Sequence, residues 1–207
     1  MDWTESVIIA DADYVDRVAF DLTVNFERMI GRRIPQADMA RWVECIALDG
    51  GMRPAERDTA GHASQRDTGP TTQVVLIHDD NRQRMENFAP GHYADELHGK
   101  AFTGALGEFV FTCASPECLT TKEALLAETL QMFCQKQEVK RIMVVADEQH
   151  MDGVRRVLRQ TTDGDAPKRI TVFAMQPIAG GQFAQEILGY SLMAALGVKG
   201  SELHPDY

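Results

Sequence analysis

Three short apolar runs in this chain each close on a pair of acidic residues. Val7–Ala10 is followed by Asp11 and Asp13, Gln73–His78 by Asp79 and Asp80, and Arg141–Ala146 by Asp147 and Glu148. Carboxylates brought to one place repel unless a cation or a shared proton compensates them. Hard divalent ions such as Mg²⁺ or Mn²⁺ take oxygen ligands and suit such a set. A fourth run, Glu108–Cys113, carries Thr112 near its end and is followed by Ser115. Each acid also has a structural role open to it, because Asp caps helix N-termini by accepting a backbone N–H. Asp13 precedes a helix expected from about Tyr14 and fits that role. Asp11 ends its run too early to be the obvious cap, and the helix after Asp147 starts a few residues later. Asp11 and Asp147 are therefore the pair with the better case for chemistry.

The elements that must position these residues alternate along the chain. The four runs and Arg169–Ala174 are short and continuously apolar, the pattern of strands buried on both faces. Between them lies helical periodicity. Val15, Val18, Ala19, Leu22, Phe26, Met29 and Ile30 share one stripe, with Gly31 as the stop. Further helices are expected over Gln36–Leu48, over Lys122–Gln137 behind a Thr120-x-x-Glu123 capping box, over Met151–Gln160, and over Gln182–Leu196. Within Asn81–Gly107 only Tyr93–Leu97 suggests a short helix.

Strand–helix alternation predicts an α/β fold: a three-layer, Rossmann-like, mostly parallel five-stranded sheet with helices on both faces. Ligands of such sheets bind beyond the carboxyl ends of the strands, which is where the acidic pairs fall. The stretch 52–72 has almost no large apolar side chain and is expected to be a mobile loop inside a single domain spanning 1–207.

Composition narrows the function classes. The 207 residues carry 31 acidic and 21 basic side chains, a formal net charge of −10. That balance disfavours nonspecific adhesion to nucleic acid or to an anionic membrane. It is compatible with a cation-dependent acidic site, where the ion reverses the local sign. No apolar run approaches the roughly 20 residues of a membrane helix, and the first residues lack a basic, signal-like stretch, so a cytoplasmic location is expected. The four cysteines read as reduced thiols, and Cys113-x₄-Cys118 lacks the partners of a zinc site. Gly180-Gly181 reads as a flexible turn. Neither a Gly-x-Ser-x-Gly elbow nor a GxGxxG string occurs, so serine hydrolases and nucleotide-cofactor oxidoreductases have no support.

Two enzyme patterns touch the acidic residues. Ile8-Ile9-Ala10-Asp11-Ala12-Asp13-Tyr14 and Met143-Val144-Val145-Ala146-Asp147-Glu148-Gln149, with Val154–Leu158 after it, resemble the NYN and PIN group of metal-dependent ribonucleases. The resemblance implies hydrolysis of phosphodiester bonds, with single-stranded RNA as substrate. It makes Asp11, Asp13 and Asp147 catalytic residues that hold Mg²⁺ or Mn²⁺, and Asp79 contributes to the metal from its own strand end. Tyr14 stands where Asn is usual in that group, and Gln149 where a second Asp is usual. Asp11-Ala12-Asp13-Tyr14-Val15 also resembles the D-x-D-x-[TV] string of haloacid-dehalogenase-like phosphatases. That reading makes Asp11 a nucleophile and Asp13 a general acid/base, completed by Thr112, a Lys, and Asp147 or Asp152. The non-catalytic rival is a Rossmann-like interaction or regulatory module, with a protein partner or a second copy as its ligand. Longer stretches, including DYVDRVAFDLTVNFERM, CIALDGG and VVLIHD, resemble a bacterial family of single-domain proteins that brings no assigned activity.

Overall fold

The computed structural model describes residues 4–54, 69–161, 168–178 and 183–203. Among the described residues nine strands and five α-helices follow in order: β1 (Ser6–Asp11), α1 (Ala12–Ile30), β2 (Ala37–Asp38), α2 (Met39–Asp49), β3 (Thr71–Ile77), β4 (Phe88–Ala89), β5 (Ala101–Gly104), β6 (Gly107–Ala114), α3 (Lys122–Gln135), β7 (Arg141–Val145), α4 (Asp152–Thr161), β8 (Arg169–Ala174), β9 (Ala184–Ile187) and α5 (Leu188–Ala195), with a single π-helical turn over Tyr93–Leu97. The main sheet runs β5-β6-β3-β1-β7-β8-β9, and β2 pairs separately with β4. All pairs of the main sheet are parallel except β5 with β6.

Successive side chains of a strand point to opposite faces. Along β1, Ile8 and Ala10 therefore enter one core with α1, α2 and α5, while Val7 and Ile9 enter another with α3 and α4. A strand apolar on both faces needs helices on both, which is why these runs lack alternation.

The sheet has seven strands where the sequence predicts five. The two additions are short edge strands. Ala101–Gly104 forms a tight hairpin with β6, closed by Gly107 at φ 115°, where a Cβ would lie 2.1 Å from the Pro70 carbonyl oxygen. Ala184–Ile187 is mostly exposed and carries no apolar run. It takes the first half of the helix expected over Gln182–Leu196, leaving α5 as the remainder, and Gln182 lies outside the described residues. Of the loop expected at 52–72, residues 55–68 lie outside the described residues. Met52 is buried, and Thr71 and Thr72 already belong to β3. No helix among the described residues is long and apolar enough to cross a membrane.

Candidate functional site

The chain moves outward from β1 to β3 and β6, then returns to the other side of β1 for β7, β8 and β9. The strand order reverses between β1 and β7, and a crevice at such a switch point is the ligand position of open α/β sheets. Ala10 pairs with Val145 there, so Asp11 and Asp147 leave neighbouring strands side by side.

Strand β1 passes into α1 without a loop. Asp11 is the helix cap after all: its Oδ1 accepts from the Tyr14 backbone N–H at 3.0 Å, and Asp13 sits in the first turn. The expectation that Asp13 is the cap is corrected by this direct hand-over. Oδ1 of Asp11 also receives the Lys122 ammonium at 2.9 Å. The same ammonium reaches Asp13 Oδ2 at 3.1 Å and Asp79 Oδ2 at 3.5 Å. The Asp79 backbone N–H donates to Asp13 Oδ2 at 2.8 Å, and the Arg82 guanidinium stands 3.9 Å from Asp13 Oδ1.

Lys122 is the first residue of α3, capped by Thr121 and not by Thr120. The preceding loop is held by Asp80, whose carboxylate accepts from the Glu117 and Cys118 N–H groups at 2.8 and 2.9 Å. Both donors have positive φ, which aims successive amides at one anion. Desolvation opposes the Asp80 charge, but its hydrogen-bond donors together outweigh that opposition. The Cys118 thiol, the Ser115 hydroxyl and those two amides hold the Asp80 carboxyl below its ordinary value.

Asp147 is not among the ion-pair partners of Lys122. Its Oδ1 caps a short 3₁₀ turn through the Gln149 N–H at 2.9 Å, and its Oδ2 receives Arg17 at 2.6 Å. His150 Nδ1 is 3.7 Å from Oδ2 and half exposed. Tyr14, which stands where Asn is usual in the ribonuclease group, donates its hydroxyl to Glu148 at 2.8 Å. Arg17 also lies over the Tyr14 ring, 5.4 Å from its centroid.

The electrostatics of Asp11 and Asp147 differ. Burial pushes the Asp11 carboxyl above its ordinary value, and Lys122 with the Tyr14 amide offsets only part of that. Burial also opposes the Asp147 charge, but the Arg17 hydrogen bond and the Gln149 amide outweigh it, so Asp147 titrates below its ordinary value. Lys122 loses hydration by burial, and Asp11 and Asp13 more than restore its preference for the charged form. Four carboxylates (Asp11, Asp13, Asp79, Asp147) thus meet three cations (Lys122, Arg17, Arg82), and Glu148, bonded to the Tyr14 hydroxyl and the Gln176 amide, is a fifth carboxylate beside them.

Among the described residues no three of His, Cys, Asp and Glu converge as a cage for an ion. Mg²⁺ rarely needs one, since it keeps several waters and binds through one or two carboxylates plus substrate phosphate. Both contacts of Asp11 fall on Oδ1, and no described residue donates a hydrogen bond to Oδ2.

The sequence-expected residues thus divide into two groups. Asp11, Asp13 and Asp79 meet at Lys122, and Asp147 is joined to α1 through Arg17. Thr112 lies on β6 and receives a hydrogen bond from Gln73, and Asp152 is exposed. The cysteines are free, and Gly180-Gly181 lie outside the described residues. Lys122, Arg17 and Arg82 are the cations that sequence reasoning left unassigned. Tyr93 is another addition: it stacks on His78 at 3.9 Å with its hydroxyl buried and unpaired among the described residues.

No curated protein and no solved structure matches the chain. A family match covers residues 1–203, and the chain belongs to that family, described as "Family of unknown function (DUF6621)".

Proposed function

We propose that the acidic edge is a divalent-metal-dependent phosphodiester hydrolase site of NYN/PIN-like design, with single-stranded RNA as its substrate class. The observation that carries this reading is the position of Asp11 and Asp147 at the ends of neighbouring central strands, at the reversal of strand order. The charge balance supports it. Five carboxylates against three cations leave an imbalance of two, which one divalent ion equals. Asp11 Oδ2 and Asp147 are the donors that would hold Mg²⁺ or Mn²⁺, with Asp13 and Asp79 beside them. When bound, such an ion activates water and stabilises charge on the phosphoryl oxygens. Arg17 and Arg82 have exposed guanidinium groups next to the acids and are placed to meet substrate phosphate. Lys122 holds Asp11 and Asp13 together by occupying the space between them.

A specific observation favours the second reading, a non-catalytic module. Asp11 and Asp147 both serve as caps, and each is already paired with a cation of the chain. The phosphatase reading has the Lys122–Asp11 contact it calls for. It lacks a hairpin after the motif, because α1 starts at Ala12, and Thr112 is engaged by Gln73.

Thermal unfolding with Mg²⁺, Mn²⁺ or chelator, on the wild type and Asp11→Asn, separates the first two readings. An ion at 100 times its dissociation constant adds about 2.7 kcal/mol, which raises the midpoint by roughly 5–10 °C at this chain length. A rise confined to the wild type, followed by metal-dependent cleavage of single-stranded RNA, supports the hydrolase. No rise and no cleavage would leave the non-catalytic module.

A further inference from the structure

The opposite edge of the sheet, where the parallel strands begin, carries the reverse charge. A cavity of about 490 Å³ opens there, lined by Lys140, Arg141, Lys168 and Arg169. An adjoining cavity of about 500 Å³ adds Arg53 and shares Arg141. Glu5 is the one acid among the residues lining either cavity, and it pairs with Lys140. In a chain of net charge −10, five cations against one acid is a local inversion.

The strand register makes the inversion specific. Arg141 opens β7 and Arg169 opens β8 as direct partners, so both side chains leave the same face of the sheet. Like charges placed directly across from each other on neighbouring strands are destabilising. No carboxylate among the described residues lies within ion-pair distance of Arg53, Arg141 or Arg169. Arg141 instead donates to the Gly50 carbonyl, and Lys168 to the Lys136 and Val139 carbonyls, which fixes both cations at the cavity wall. Burial and then the neighbouring Arg169 and Arg53 charges lower the Arg141 pKa, the mark of a cation group without its counter-ion.

We infer that this edge is a binding site for a small phosphate-bearing anion, either a nucleotide through its phosphate chain or inorganic pyrophosphate. Guanidinium forks from two adjacent strands suit phosphate oxygens bidentately, and ammonium groups add point charges beside them. The cavity volume lies in the range of small-molecule sites. The site is independent of the acidic edge, which lies at the other end of the same strands.

Calorimetric titration of the full chain tests it, with pyrophosphate, ATP and adenosine as probes. The expected result is saturable binding of one pyrophosphate or ATP per chain, weakened by added salt, and no binding of adenosine. Arg169→Gln removes an exposed guanidinium and lowers the affinity by about tenfold, the worth of one charge-assisted contact. Lys140→Gln, also at an exposed position, serves as the second reading if Arg169→Gln does not fold. Asp11→Asn leaves the affinity unchanged. The assignment is overturned if neither pyrophosphate nor ATP saturates, if both cavity variants bind like the wild type, or if Asp11→Asn abolishes binding. It is equally overturned if single-stranded RNA binds while pyrophosphate does not.

Discussion

The Lys122 ammonium lies 2.9 Å from Asp11 Oδ1, so the first residue of α3 neutralises the last residue of β1. Both side chains are nearly buried, at 12% and 7% exposure, and Asp13 and Asp79 complete the ring around the ammonium. Removing the cation leaves carboxylates facing one another in a poorly hydrated place. Lys122→Met is expected to cost about 3 kcal/mol, the range for breaking one side of a buried pair. The unfolding midpoint falls by roughly 6–12 °C. Adding Asp11→Asn recovers part of the loss, and a double-mutant cycle by urea unfolding measures the coupling. Strict additivity of the two changes would refute the pairing.

Asp11 and Asp147 shift stability with pH in opposite senses. The raised Asp11 carboxyl contributes stability at acid pH that is lost as pH rises through its folded value. Asp11→Asn is therefore expected to be more stable than the wild type at neutral pH, with the difference closing on acidification. Asn keeps the helix cap, so the comparison isolates the charge. The lowered Asp147 carboxyl contributes stability above the ordinary carboxylate range that is lost as pH falls through its folded value. Asp147→Asn is expected to be less stable than the wild type at neutral pH, with the deficit closing in acid. Midpoints for the three proteins measured from neutral to acid pH test both signs, and parallel curves would contradict them.

Two buried tyrosines beside the site have opposite expectations. Tyr14 donates to Glu148 at 2.8 Å, and Tyr14→Phe leaves that carboxylate short of a donor at a cost of about 1.5 kcal/mol. Tyr93 has no partner for its hydroxyl among the described residues. Tyr93→Phe keeps the ring stacked on His78 and is expected to be neutral or stabilising by up to about 1 kcal/mol. Chemical denaturation of both variants decides the matter. A loss in Tyr93→Phe as large as that in Tyr14→Phe would mean the Tyr93 hydroxyl has a partner in solution.

Gly107 closes the β5–β6 hairpin at φ 115°, with its α-carbon facing the Pro70 carbonyl. Gly107→Ala is strained in backbone and in space, and is expected to cost at least about 2 kcal/mol. Thermal unfolding reads this directly, and a midpoint within a degree of the wild type would show that the hairpin can rearrange.

The buried strands were legible in the sequence because their signal is local. Val7–Ala10, Val74–Ile77 and Ile142–Ala146 are continuous apolar runs, the pattern of strands covered on both faces. The acids that end them were legible for the same reason. The edge strands Ala101–Gly104 and Ala184–Ile187 were not, because an edge strand is specified by the partner it meets more than by its own side chains.

An α/β sheet with acidic strand ends is thus written into the linear chain, whereas the matching of each cation to its acid arises only on folding. Asp13 and Arg17 are four residues apart on α1, the spacing of a local helical ion pair. The fold instead sends Arg17 to Asp147, 130 positions away, and brings Lys122 to Asp13 across 109. Ion pairing depends on distance in space, and β7 ends beside β1 whatever the chain length between them.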